Sequence, residues 1–306
     1  MRTSAFPDFY VIGAAKAGTT TLVDMLGTHE RVWFPHEKEP HHFFLREDDR
    51  AWTIRDGRKV KPLADVLPYA GENEYLGLYA RAPDNVLRGD ASTQYLVNAT
   101  TARAIHAERP DAKIIVVLRH PTDRAYSAYV HARSRGEDGC ATFALAISEC
   151  EAGSRETSFA INYLAEGDYA RHLKRYQELF GENLLVVFFE DLVEQPQSVF
   201  DQMTAFLSIP QQGLSEAEAS HKNAGIELGN PVSRAFRITA KRIRRMAPGL
   251  FELPLFRKPY EILLATIGRK PEKLAPEMRS HLDAHYASHI ESLETLLGRK
   301  LPNWHR

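Results

Sequence analysis

The stretch Phe9–Leu26, FYVIGAAKAGTTTLVDML, constrains this chain more than any other. An apolar run, Phe9–Ile12, stops at Gly13, crosses a loop of small residues and re-enters a helical pattern at Thr19. A strand, a glycine-containing loop and a helix start in that order form a phosphate cradle. Loop and first-turn N–H groups point at the anion, and the helix dipole favours negative charge there. Gly13 and Gly18 have GxxxxG spacing, but a nucleoside triphosphatase places Lys directly after the second glycine. Here Thr19 holds that position and Lys16 lies inside the loop. Lys16 has only small neighbours, no apolar face to cover and no adjacent acid, so it needs an anion.

The rest of the chain predicts the setting of that loop. Short apolar runs read as buried parallel strands at Phe9–Ile12, Val32–Phe34, Val86–Asp90, Lys113–Leu118 and Leu184–Phe189. Helical patterns fall between and after them, at Thr19–Leu26, Asn98–Glu108, Thr122–Ser134, Thr142–Glu151, Tyr169–Phe180 and Ser198–Leu207. Alternation of this kind predicts an α/β fold with a mainly parallel sheet flanked by helices, whose ligands bind beyond the C-terminal strand ends. Pro276–Leu297 reads as an amphipathic helix stopped by Gly298. Residues 45–85, polar from Ala51 onwards, read as a lid or acceptor-site excursion. Residues 226–270 are basic, with arginines and lysines from Arg234 to Lys270 over loosely helical apolar spacing, which suits an anionic partner or peripheral contact with a membrane surface.

A second strand–turn–helix follows at Ile114–His131. Arg119 stands at the strand's C-terminal edge, Pro121 opens the helix, and Ser127 lies two turns on, able to face back towards Arg119. A guanidinium fork with a hydroxyl is a good phosphate grip. The bland alternative is a helix-start ion pair between Arg119 and Asp123. Two grips, one per strand end, imply a ligand with two separated phosphate groups.

Here the sequence resembles the sulfotransferases that use 3′-phosphoadenosine-5′-phosphosulfate (PAPS), in particular the heparan-sulfate-type and bacterial carbohydrate enzymes. The loop AAKAGTTTL resembles their 5′-phosphosulfate loop and LRHPTDRAYSAY their 3′-phosphate motif. KEPHHFF (Lys38–Phe44), GDASTQYL (Gly89–Leu96) and LLVVFFEDL (Leu184–Leu192) fall in the family's order, as does the closing helix with Trp304 behind it, so the resemblance covers most of the chain. It implies a single P-loop-like sulfotransferase domain over residues 1–306, with PAPS as co-substrate, PAP (adenosine 3′,5′-bisphosphate) as product and no metal. By the same resemblance Lys16, Ala17, Gly18, Thr19 and Thr20 would hold the 5′-phosphate, and Arg119 and Ser127 the 3′-phosphate. Glu39 matches the catalytic carboxylate and His41 the histidine two residues later, while His42 and Asp90 are candidates for acceptor contacts. Three positions depart from the pattern: His42 replaces an aromatic residue, Ala17 a second glycine, and Ala91 the lysine of the 3-O-type enzymes.

The chemistry expected is sulfuryl transfer to a hydroxyl, or an amino group, of a carbohydrate, a glycolipid or a small alcohol. Catalysis would come mainly from positioning and electrostatics. Glu39 would take the acceptor proton and Lys16 would neutralise charge on the leaving phosphate. Two histidines and a glutamate within four residues lack the i, i+4 spacing of a helical metal site. Two other readings compete: a P-loop phosphotransferase or NTPase, and a non-catalytic PAP- or glycan-binding module. A net charge of −1 gives no field for nucleic acid, and no window is long and apolar enough to span a bilayer. The two cysteines, Cys140 and Cys150, are too far apart along a helix to bond, which points with the missing signal peptide to a cytoplasmic setting.

Overall fold

A computed structural model describes residues 4–48, 50–56, 59–215 and 273–305. The basic segment 226–270 lies outside the described residues.

Five parallel strands form the central sheet: β1 (Phe9–Val11), β2 (Val32–Trp33), β5 (Leu87–Asp90), β6 (Lys113–Leu118) and β7 (Leu184–Phe188). Their order across the sheet is β2-β5-β1-β6-β7, so β1 is central, with β5 and β6 as its neighbours and β2 at one edge. Phe9, Tyr10 and Val11 are fully buried, as are Ile114 to Leu118, because helices cover both faces of a parallel sheet. Gly89 is required in β5 by close approach: a Cβ there would lie 2.4 Å from Phe34 and 2.5 Å from Phe9.

The helices follow the expected punctuation. α1 (Thr19–Leu26) and α6 (Tyr169–Phe180) have the bounds the pattern predicts. α3 (Thr101–Glu108) starts three residues later than expected, because the Asn98 side chain accepts from the Thr100 and Thr101 N–H groups ahead of it. α4 (Pro121–Arg135) has Pro121 at its first position, and α5 (Phe143–Glu151) is capped by the Thr142 hydroxyl. α8 (Pro196–Phe206) precedes the long α9 (Pro276–Leu297), which ends at Gly298 in a left-handed conformation and packs against α4 and α6. No helix among the described residues is long and apolar enough to cross a membrane. Both cysteines are free.

Two regions differ from the sequence reading. Residues 51–85 hold more structure than a polar excursion: a hairpin of β3 (Thr53–Asp56) and β4 (Lys59–Pro62), then the short helix α2 (Glu72–Gly77). Leu63, Tyr75 and Tyr79 from this region are buried in the core and anchor it. Phe189, read as the last residue of a strand, instead begins α7 (Phe189–Glu194), where Glu190 and Asp191 suit a helix N-terminus.

Candidate active site

The loop after β1 is an extension of the sheet. The Ala14 N–H donates to the Val117 carbonyl at 2.7 Å, and the Val117 N–H to the Gly13 carbonyl at 2.8 Å. Gly18 closes the loop at φ 95°, and a Cβ there would lie 2.8 Å from the Phe189 ring. α1 then begins with no acid in its first turn, so its dipole is open to an anion. Thr19 is buried, Thr20 is exposed at the first turn, and Ala17 is buried beneath the loop.

Lys16 sits at the loop's crest with φ 68°. Its ammonium lies 3.3 Å from Nδ1 of His131 on α4. Burial lowers its pKa and the charges of Arg119 and Arg135 lower it further, while Glu39 opposes them. The acid that Lys16 lacks in sequence is therefore supplied by the fold. Arg119, just past β6, donates to the Lys16 carbonyl at 3.3 Å and stacks over Phe189 at 4.7 Å. Its own carbonyl accepts from the Tyr169 hydroxyl. The helix-start pairing with Asp123 is replaced: Asp123 takes the Arg279 guanidinium at 2.6 Å, and Arg119 has no carboxylate within ion-pair distance among the described residues. Ser127 is half-buried and one turn before His131, so the two share a helix face.

Glu39 and His41 belong to the loop after β2, and each has φ 54°. Left-handed backbone at a non-glycine residue costs about 1 kcal/mol or more and collects at functional sites. Lys16, Glu39 and His41 all adopt it. Glu39 Oε2 accepts from the Thr93 hydroxyl at 3.0 Å and from His41 Nε2 at 3.2 Å. Partial desolvation pushes the carboxyl pKa up, but the bonds from His41 and Thr93 and the Lys38 charge outweigh it and bring it below the usual value. Glu39 is thus ionised at neutral pH, and its side chain keeps 42% of its surface exposed. His41 is buried, edge-on to Phe159 and Tyr95, and its backbone N–H donates to Ser92 Oγ at 3.0 Å.

The two acceptor-contact candidates stand elsewhere. Asp90 is fully buried and receives the hydroxyls of Ser92, Tyr75 and Tyr95 at 2.7, 2.8 and 3.0 Å, and burial raises its pKa. It holds Ser92, which in turn holds the His41 backbone, and no face of it is open to a ligand. His42 is also in the core, stacked on Tyr75 at 4.2 Å with Nδ1 on the Tyr69 carbonyl, and burial lowers its pKa. An imidazole suits this place because it is flat enough to stack and can satisfy one carbonyl. His131 and Thr93 were not singled out from the sequence. His131 could have been found by stepping one turn on from Ser127, and Thr93 lies within the GDASTQYL stretch, where nothing local sets it apart from its neighbours. No group of three or more potential metal ligands is present among the described residues.

Comparison with known proteins defines the class. The sequence matches the model of the sulfotransferase family over residues 7–213, more than half of the chain, and the chain belongs to that family. It is 33% identical to carbohydrate sulfotransferase 15 of Mus musculus over 157 residues, covering 42% of this chain and 28% of that protein. It is 27% identical to the human bifunctional heparan sulfate N-deacetylase/N-sulfotransferase 3 over 318 residues, covering 98% of this chain and 31% of that one. The chain therefore spans less than a third of the length of either relative. A sulfotransferase crystal structure from Alicyclobacillus acidocaldarius superposes with a TM-score of 0.73 at 25% identity, covering 98% of this chain and 99% of the other.

Proposed function

We propose that this protein transfers the sulfuryl group of PAPS to a hydroxyl of a carbohydrate-type acceptor, with Glu39 as general base. The observation that carries the reading is the electrostatic pairing of Lys16 with Glu39, with the Arg119 guanidinium on the Lys16 carbonyl. The relatives' names, which specify carbohydrate and heparan sulfate sulfotransferases, support the acceptor class.

The residues fit a bisphosphorylated donor. Arg119 offers a guanidinium already oriented by Phe189 and with no ion-paired carboxylate among the described residues, and Ser127 adds a hydroxyl from the helix that Arg119 precedes. The first turn of α1, with Thr19 and Thr20, offers N–H groups and hydroxyls to the other phosphate. Lys16, partly desolvated, stands ready to neutralise the leaving phosphate oxygen as the sulfur–oxygen bond breaks, and His131 orients its ammonium. Glu39 accepts the acceptor's proton as the new oxygen–sulfur bond forms, and His41 and Thr93 fix its rotamer. Sulfated acceptor, PAP and one proton result.

A thermal-shift comparison tests the donor. PAP without divalent metal should stabilise the protein, by about 2.7 kcal/mol at a hundredfold excess over its Kd. A shift with Mg²⁺-ATP and none with PAP would refute the reading in favour of a P-loop phosphotransferase.

A further inference from the structure

The crevice carries opposite charge on its two sides. On the donor side Lys16, Arg119 and Arg135 lie close enough for the two arginines to depress the lysine pKa. On the other side a cavity of about 420 Å³ opens, and Glu39 is part of its wall. This cavity is located by Glu39 itself, since an acceptor hydroxyl must come within hydrogen-bond reach of its base. Among the described residues its charged lining is three carboxylates, Asp24, Glu37 and Glu39, against the single ammonium of Lys38. Lys38 Nζ lies 3.9 Å from Asp24 Oδ1 and its charge also reaches Glu39, which leaves this described lining with two carboxylates in excess of its one ammonium. The remaining wall includes Phe34, Pro35 and Ala91, an apolar face suited to the C–H side of a sugar ring.

Charge decides what such a cavity admits. A carboxylate or sulfate on the acceptor would stand beside like charges, at a cost on the order of tenfold in affinity for each close pair. It would also raise the pKa of Glu39, against the bonds that hold the carboxylate ionised. An uncharged acceptor escapes both penalties, and an ammonium group gains from the same carboxylates. We propose that the cavity takes a hydroxyl acceptor that is uncharged or carries a neighbouring amine, and that it rejects uronates and sulfated saccharides. The inference rests on the sulfuryl-transfer reading above, which brings the acceptor to Glu39.

Three probes that differ only in charge test it: methyl glucoside, methyl glucosaminide and methyl glucuronide, each titrated into PAP-saturated protein at low salt and followed by NMR. The glucosaminide should bind at least fivefold more tightly than the glucuronide, with the glucoside between them. The double variant Asp24→Asn, Glu37→Gln should bring the glucosaminide within about twofold of the glucoside and leave PAP affinity unchanged. Ala91→Lys should move the preference towards the glucuronide. Equal or tighter binding of the glucuronide to the wild-type protein overturns the proposal, as does failure of both other glycosides to bind. If PAP binds and the charge order is reversed, the acceptor inference alone falls. If PAP does not bind, the sulfuryl-transfer reading falls and takes this inference with it.

Discussion

The two loops that meet at the active crevice are held in place by different means. The Lys16 loop hangs from the sheet by backbone hydrogen bonds, Ile12 to Ile115 and the reciprocal Gly13, Ala14 and Val117 contacts. The Glu39 loop hangs from side chains of the β5–α3 connection. Ser92 accepts from the His41 N–H, Tyr95 from the Phe43 N–H, Asn98 donates to the Phe44 carbonyl, Thr101 to the Phe43 carbonyl, and Thr93 to Glu39 itself. Backbone suspension depends on glycines and strand register and tolerates many side chains. Side-chain suspension ties the position of Glu39 to five particular residues. The Lys16 half of the site is therefore a property of the fold, and the Glu39 half a property of this sequence.

Substitutions can break that division. Lys16→Ala should have the largest effect, because Lys16 would touch the donor in the ground state and the leaving oxygen in the transition state. Both PAP affinity and turnover should fall, with kcat/KM down on the order of 10³-fold. Steady-state kinetics that showed a loss in KM alone would remove Lys16 from the chemistry. Arg119→Ala should cost about 2–4 kcal/mol of PAP affinity, the usual penalty for removing one partner of a desolvated charged contact. Its kcat should stay near wild type, since the 3′-phosphate is remote from the reacting sulfur. Calorimetry showing unchanged affinity in a folded variant would return Arg119 to a structural role.

Asp90→Ala should act on the other half, leaving three buried hydroxyls without their acceptor. A loss of about 2–4 kcal/mol of stability is expected. Turnover in the folded fraction should drop as Ser92 releases the His41 backbone, while PAP affinity at saturating folded protein should change little. If instead donor affinity falls in parallel with turnover, the two suspensions are not independent.

The same division explains what could be read from the sequence. The β1–loop–α1 and β6–α4 units were legible because a buried strand, a glycine loop and a helix start each leave a local signature, and the bounds of α1, β6 and α6 follow from it. The β3–β4 hairpin carries little apolar alternation and leaves Val60 exposed, so only the Asp-Gly pair at 56–57 marks it. α7 was hidden by the apolar run that enters it, because periodicity cannot fix where Val187-Phe188-Phe189 turns from strand to helix. Glu39 and His41 were recognisable as a pair, but their left-handed backbone and the role of Thr93 depend on contacts more than fifty residues away. His42 and Asp90 misled for the same reason. A polar residue beside a catalytic motif reads as a contact until burial shows that it supports the loop from beneath.

Glu39→Gln measured in single turnover, with donor binding followed separately, tests the central claim most directly. The substitution keeps the shape of the side chain and removes the proton acceptor. PAP affinity should remain within about twofold of wild type, while transfer from PAPS falls on the order of 10²–10⁴-fold. In the wild-type protein the acid limb of transfer should lie below the ordinary glutamate value of about 4.3, because His41 and Thr93 stabilise the carboxylate and the base is lost only as pH falls through that lowered pKa. Near wild-type transfer by Glu39→Gln, with His41→Ala inactive, would contradict the assignment and pass the proton to His41.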